Sequence, residues 1–221
     1  MNTIQDKQEK KEREASGREQ KNTEQAIMEA AEELFLEKGY SQATTTMIAR
    51  RAGVTHAMLH YYFRTKEHIF MKVLENTLDE LMKSFRPVMS CEEPFWETLE
   101  KGISTHFDFF VRHPRFATFL YDTVVHNPEL IDRLKEKFLP AVDRIVSVHV
   151  SRIREEMDKG RIRKVDPVQL MADIVTLNLS TFLFLPVAGS LGISGADPEM
   201  MLEVRKAEII TLIKSRLYGG K

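Results

Sequence analysis

The stretch Ala43 to Lys66, ATTTMIARRAGVTHAMLHYYFRTK, is spaced as two short helices crossing at a tight turn. Counting from Thr45, a small residue falls at Ala49, a glycine at Gly53, and branched or bulky apolar residues at Ile48, Val54 and Leu59, which is the spacing of a helix-turn-helix. Ala49 must be small because the second helix crosses over it. Gly53 follows a helix end, where a left-handed backbone costs other residues energy. Ile48, Ala52, Leu59 and Phe63 are expected to close a miniature core. Thr55, His56, Ala57, His60 and Tyr61 are then left facing outward as candidate readers of a ligand surface.

The flanks extend the pattern. Gly39-Tyr40 ends a preceding helix, Thr44-Thr45-Thr46 opens the next, and Tyr61-Tyr62-Phe63 is followed by Lys66-Glu67. From Ala30 to Phe70 the sequence resembles the N-terminal domain of the tetracycline-repressor (TetR) family of bacterial transcription regulators. Beyond Phe70 the resemblance is one of architecture and helix order. It implies an all-α protein, with a three-helix DNA-binding domain followed by a helical ligand-binding and dimerisation domain. The organisation expected is a disordered charged tail over 1–21, the DNA-binding domain over 22–68, and the effector and dimerisation domain over 69–221.

Composition narrows the class. The chain has 221 residues, 43% of them hydrophobic, enough for a packed core without covalent staples. Its one cysteine, Cys91, excludes an internal disulfide, which fits a reducing cytoplasm, and is read as an inert thiol. No apolar leader opens the sequence. The longest apolar run, Ile174 to Ala188, contains Asn178, Ser180, Thr181 and Pro186 and reads as a buried helix rather than a membrane span. A net charge of −1 argues against a general polyanion binder but not against one small basic face. Arg50, Arg51, Arg64 and Lys66 lie in or beside the motif, where they can meet phosphates. The first 21 residues are nearly all polar and offer too little apolar surface to order themselves.

Helical periodicity runs through the rest. A first helix from Asn22 or Thr23 carries Ala26, Ile27, Ala30, Ala31, Leu34 and Phe35 as its apolar stripe, and Thr44, Thr55 and Thr65 are expected N-caps of the next three. The fourth helix runs on through Ile69, Phe70, Val73, Leu74, Leu78 and Leu81, as a lever between the two parts. Further helices are expected over 94–112, 115–123, 128–159 with a bend near Pro140, 167–187 and 198–217. Gly160 is a C-cap, and Asp166-Pro167 and Asp197-Pro198 each pair an N-cap with a first-turn proline. Gly189 to Gly195 reads as a loop. The last two helices hold more apolar surface than one layer covers. A four-helix bundle between two copies would bury it, and the resemblance implies such a homodimer.

Carried over position by position, the resemblance assigns Thr45, Thr55, Tyr62 and Lys66 to the DNA backbone, and His56, Ala57, His60 and Tyr61 to base edges in the major groove of an inverted-repeat operator. Two positions depart from the family pattern: Ala57 stands where glycine is common and His60 where tyrosine is common. A histidine here can donate to guanine or adenine acceptors. His56 and His60 share a helical face, but no acidic residue or cysteine beside them completes a metal site. The resemblance also implies an unknown small-molecule effector. Aromatic and polar residues of the second half make Trp96, Phe107, Phe110, Phe119, Asp122 and Asn178 the candidate pocket. No nucleophile motif, phosphate-cradling loop or dinucleotide fingerprint is present, so neither a cofactor nor a catalytic residue is expected. The function expected is a repressor released from DNA by its effector. Two other readings are a DNA-binding adaptor controlled by a protein partner and a helical enzyme or carrier with an incidental helix-turn-helix.

Overall fold

A computed structural model describes residues 2–89, 93–192 and 197–219, and all the regular structure among them is helical. Cys91 and the last three residues of the expected 189–195 loop lie outside these residues; Gly189 and Ser190 close a helix. Contacts gather into two units, Met1–Asn76 and Thr77–Lys221.

The first unit holds α1 (Asn2–Gln42), α2 (Thr45–Arg51), α3 (His56–Tyr62) and the start of α4 (Lys66–Ser84). Helical backbone continues through the charged segment read above as a disordered tail, which corrects that reading. The segment cannot bury apolar surface, but it is built of strong helix formers, and its sequence sets Asp6 before Lys10 and Glu9 before Arg13 at the four-residue spacing that supports a helix locally. The regular path of α1 breaks at Gly39, whose φ of +73° only glycine adopts without strain. Most of the expected core residues are buried. Ile27, Ala31, Leu34 and Phe35 of α1 are buried, as are Ile48, Ala49, Leu59 and Phe63 of the motif and Ile69, Phe70 and Leu74 of α4. Phe35 meets Phe70 edge-on at 5.1 Å between ring centres, and Tyr40 meets Phe70 at 4.6 Å. Burying rings of this size is worth about 1.5–3 kcal/mol each. Ala52, expected in the core, is only half-buried.

The second unit holds the end of α4, a 3₁₀ turn (Arg86–Met89), α5 (Phe95–Arg112), α6 (Phe116–His126), α7 (Pro128–Asp158), α8 (Pro167–Ser190) and α9 (Pro198–Tyr218). α5 turns eight residues inward, Phe107, Phe109 and Phe110 among them. Asp166 accepts from the amides of Val168 and Gln169, and Asp197 from those of Glu199 and Met200, so both Asp-Pro pairs start helices as the sequence indicates. Gly160 takes φ +67° just past α7, with its N–H on the Met157 carbonyl. α7 continues through Pro140 and α8 through Pro186, and each proline removes one amide donor from its helix.

α8 corrects another expectation. It packs against α5, α6, α7 and α9, yet only one stripe, Leu170, Ile174, Asn178 and Phe182, is buried. It is long and apolar enough to cross a membrane by length and composition, but 22% of its apolar window is buried within this chain. Phe184, Val187 and Leu191 from this segment and Met200, Val204 and Leu212 of α9 are exposed. Lys206 reaches Asp108 at 2.8 Å, Arg205 donates to Thr181 Oγ1, and Arg216 pairs with Asp173, so polar ties hold α9 to α5 and α8 beside that apolar surface.

Candidate nucleic-acid interface

The reading helix is set by its ends. Thr44 Oγ1 accepts from the Met47 amide, Thr55 Oγ1 from Met58 and Thr65 Oγ1 from His68, so three threonines satisfy the first amides of α2, α3 and α4. Gly53 takes φ +68° in the turn, and a methyl group there would meet nothing within 4 Å, so backbone conformation alone demands glycine. From this frame His56, Ala57, His60 and Tyr61 project outward and all four are exposed, Tyr61 at 74%. Tyr62 is half-buried, with its ring edge-on to Tyr61 at 5.2 Å.

Two side-chain bonds orient this face. Thr45 Oγ1 lies 3.1 Å from His56 Nε2, joining the first turn of α2 to that of α3. His60 Nδ1 lies 3.2 Å from the Arg64 carbonyl. A carbonyl only accepts, so Nδ1 carries the hydrogen and Nε2 of the neutral ring is left as an acceptor. That modifies the donor role expected of His60. The His56 and His60 rings stand edge-on at 4.3 Å, and among the described residues no group of three histidine, cysteine or acidic side chains could hold a metal.

The basic residues divide. Arg50 and Arg64 are exposed. Arg51 instead turns to α1, pairing with Glu37 at 2.8 Å and Glu33 at 3.7 Å, so its charge is engaged within the unit rather than offered outward. Lys66 is half-buried: Nζ donates to the Tyr40 carbonyl at 2.8 Å and sits 4.3 Å from the Tyr40 ring centre, and burial lowers its pKa. It closes the end of α1, a role the sequence did not reveal because its partner lies 26 residues away.

The second unit holds a partly open cavity of about 250 Å³. Of the candidate pocket residues only Phe110 lines it. Asn178 lies behind the wall, with Nδ2 donating to the Ile103 carbonyl at 3.0 Å and standing 3.1 Å from His106 Nδ1, while its buried Oδ1 has no partner among the described residues. The others lie elsewhere. Trp96 packs edge-on to Tyr218 under Lys214, Phe107 is buried against Phe182, Phe119 against Phe116, and Asp122 pairs with His126 at 2.9 Å on the surface. The periodicity of α5 and α6 marks their apolar faces but not which neighbour each ring meets. His106 and His149, both absent from the candidate pocket, line the cavity instead. Burial holds His106 down to about 4 and lowers His149, which Arg152 lowers further, so both rings are neutral at pH 7. The available signal for His149 was its place in the Val142, Ile145, Val146, His149 stripe of α7.

A capped seven-residue helix with an exposed polar face, standing on a buried small-residue crossing, defines a helix-turn-helix DNA-binding protein. Residues 27–73 match the family model for bacterial regulatory proteins of the tetR family. The chain is 22% identical over 193 residues to an uncharacterized HTH-type transcriptional regulator, YvdT, of Bacillus subtilis, covering 86% of this chain and 93% of that one. It is 28% identical over 103 residues to the HTH-type transcriptional repressor NicS of Pseudomonas putida, covering 45% and 47%. The crystal structure of the TetR family regulator PfmR from Thermus thermophilus superposes with a TM-score of 0.66 at 22% identity, over 85% of this chain and 97% of that one. Residues 27–73 therefore form a DNA-binding domain of the tetR type, and the chain is a DNA-binding transcriptional regulator.

Proposed function

We propose that this protein is a homodimeric cytoplasmic repressor, a binding protein rather than a catalyst, that leaves an inverted-repeat operator when a small molecule enters the cavity of its second unit. The observation that carries the reading is the continuity of α4. Its first turn holds Lys66, Ile69 and Phe70, which belong to the DNA-binding head, and its later turns give Leu78, Leu81 and Met82 to the cavity wall. A ligand that displaces those side chains acts on the helix that begins at the head. The domain division follows: a head ending near the start of α4 and an effector and dimerisation part after it. Within the head, Thr45, Thr55, Tyr62 and Lys66 take the DNA backbone, and His56, Ala57, His60 and Tyr61 the base edges.

The dimer forms through α8 and α9, whose exposed apolar side chains support an isologous four-helix contact. The cavity favours a small molecule over a protein partner as the signal. The test is selection of bound DNA from a random pool, followed by footprinting with and without ligands that raise the melting temperature. An inverted repeat, protected without ligand and exposed with it, is expected. Protection of no symmetric site would overturn the reading.

A further inference from the structure

We propose that the cavity of the second unit takes an uncharged, largely apolar molecule with one hydrogen-bond acceptor, seated on the Nε2–H of His106, and discriminates against carboxylates and ammonium ions of the same shape. The inference rests on the effector reading above and specifies the chemistry of that site.

The wall comes from α4, α5, α6, α7 and α8, and none of its lining residues is Lys, Arg, Asp or Glu. Leu, Ile, Val, Met and Phe side chains make nearly all of it, with the imidazoles of His106 and His149 as the polar points. An ionised ligand group drawn into such a space loses its water and meets no opposite charge, which weakens its binding relative to an uncharged group of the same shape.

Asn178 fixes the state of His106. The amide nitrogen must face the Ile103 carbonyl, because the amide oxygen in that place would set acceptor against acceptor. The second hydrogen of the same Nδ2 then points to His106 Nδ1, which must accept. The imidazole hydrogen is therefore on Nε2. A second proton would set N–H against N–H, so His106 cannot answer an incoming carboxylate by becoming cationic without breaking the Asn178 contact. Burial works in the same direction. Phe110 meets the His106 ring edge-on at 5.2 Å and Phe85 flanks it at 6.3 Å, which hold the ring in place. Among the described residues Nε2 has no protein partner. The site thus offers one oriented donor in an apolar, partly open cavity, and a ketone, ester or ether oxygen is its complement. His149, also neutral, lies next to Gly102: a methyl group placed on that glycine would come 3.7 Å from its Nε2, so the ring borders the α5 side of the wall.

Isothermal titration of the full chain with 2-nonanone, octanoate and octylammonium at pH 7 tests the proposal. The ketone should bind at least about tenfold more tightly than either ion, and His106→Phe, which keeps an apolar ring, should weaken the ketone about three- to tenfold, the value of one net hydrogen bond. Octanoate or octylammonium binding as tightly as the ketone would overturn the discrimination while leaving a ligand-binding cavity in place. An unchanged ketone affinity in His106→Phe would remove His106 as the donor. Failure of all three probes to bind would overturn both this proposal and the effector reading. The ranking needs only the unaltered protein, so it decides the question even where the variant does not fold.

Discussion

His60 has its Nδ1 tied to a backbone carbonyl, so in its neutral form it presents an acceptor, whose complement in the major groove is the amino group of adenine or cytosine. His60→Ala should therefore relax the preference at one position of each half-site by a factor of about 5 to 150, corresponding to about 1–3 kcal/mol, while affinity for random DNA changes little. Comparing the sequences selected from a random pool by the two proteins checks this, and an unchanged preference would strike His60 from the readers. Gly53 makes a contrasting case. With φ +68° and open space around it, Gly53→Ala introduces no clash and should still cost about 1 kcal/mol through backbone strain, seen as a lower denaturation midpoint of the head.

At the scale of elements, α8 and α9 leave Phe184, Met200 and Val204 in the open, Phe184 at 66%. If these residues meet their counterparts in a second copy, a charge there is buried on association. Val204→Glu should then shift the protein to monomer in sedimentation experiments, and operator affinity should fall at least about tenfold because one head loses its neighbour. Unaltered dimerisation would move the contact elsewhere. Helix starts were the most legible feature of the sequence, because Thr44, Thr55, Thr65, Asp166 and Asp197 act on amides two or three residues away. The helical state of residues 2–21 was not. The reading there weighed burial, and local propensity decided the backbone instead. The exposed face of α3 was legible for the same reason as the caps, since seven residues between two fixed ends leave little choice of face.

Across the molecule, what escaped the sequence was pairing over distance. Nothing near His106 announces Asn178, 72 residues on, and nothing near Lys66 announces the carbonyl of Tyr40. Aromatic density pointed to α5, yet Phe107 went to the packed core and Phe110 to the cavity, because neighbours from other helices choose between rings on one stripe. The buried imidazoles carry a signature in the stability of the chain. His106 has a folded-state pKa near 4 against an ordinary 6.5, and His149 is shifted the same way. Between those values the unfolded chain takes up protons that the folded one refuses. Stability is therefore complete above about pH 6.5 and falls as the pH drops toward 4. Thermal denaturation should show a decrease of a few degrees from pH 7 to pH 5, smaller in His106→Phe.

Lys66 holds the last point of interest. Its ammonium group gives one of its three hydrogens to the Tyr40 carbonyl before any DNA arrives, so a phosphate that recruits another takes hold of a group already pinned to the joint between the first helix and the motif. Seizing the double helix would then brace the collar of the head. Amide hydrogens around residues 39–43 would trade with solvent more slowly in the bound protein than in the free one, and less so in Lys66→Ala.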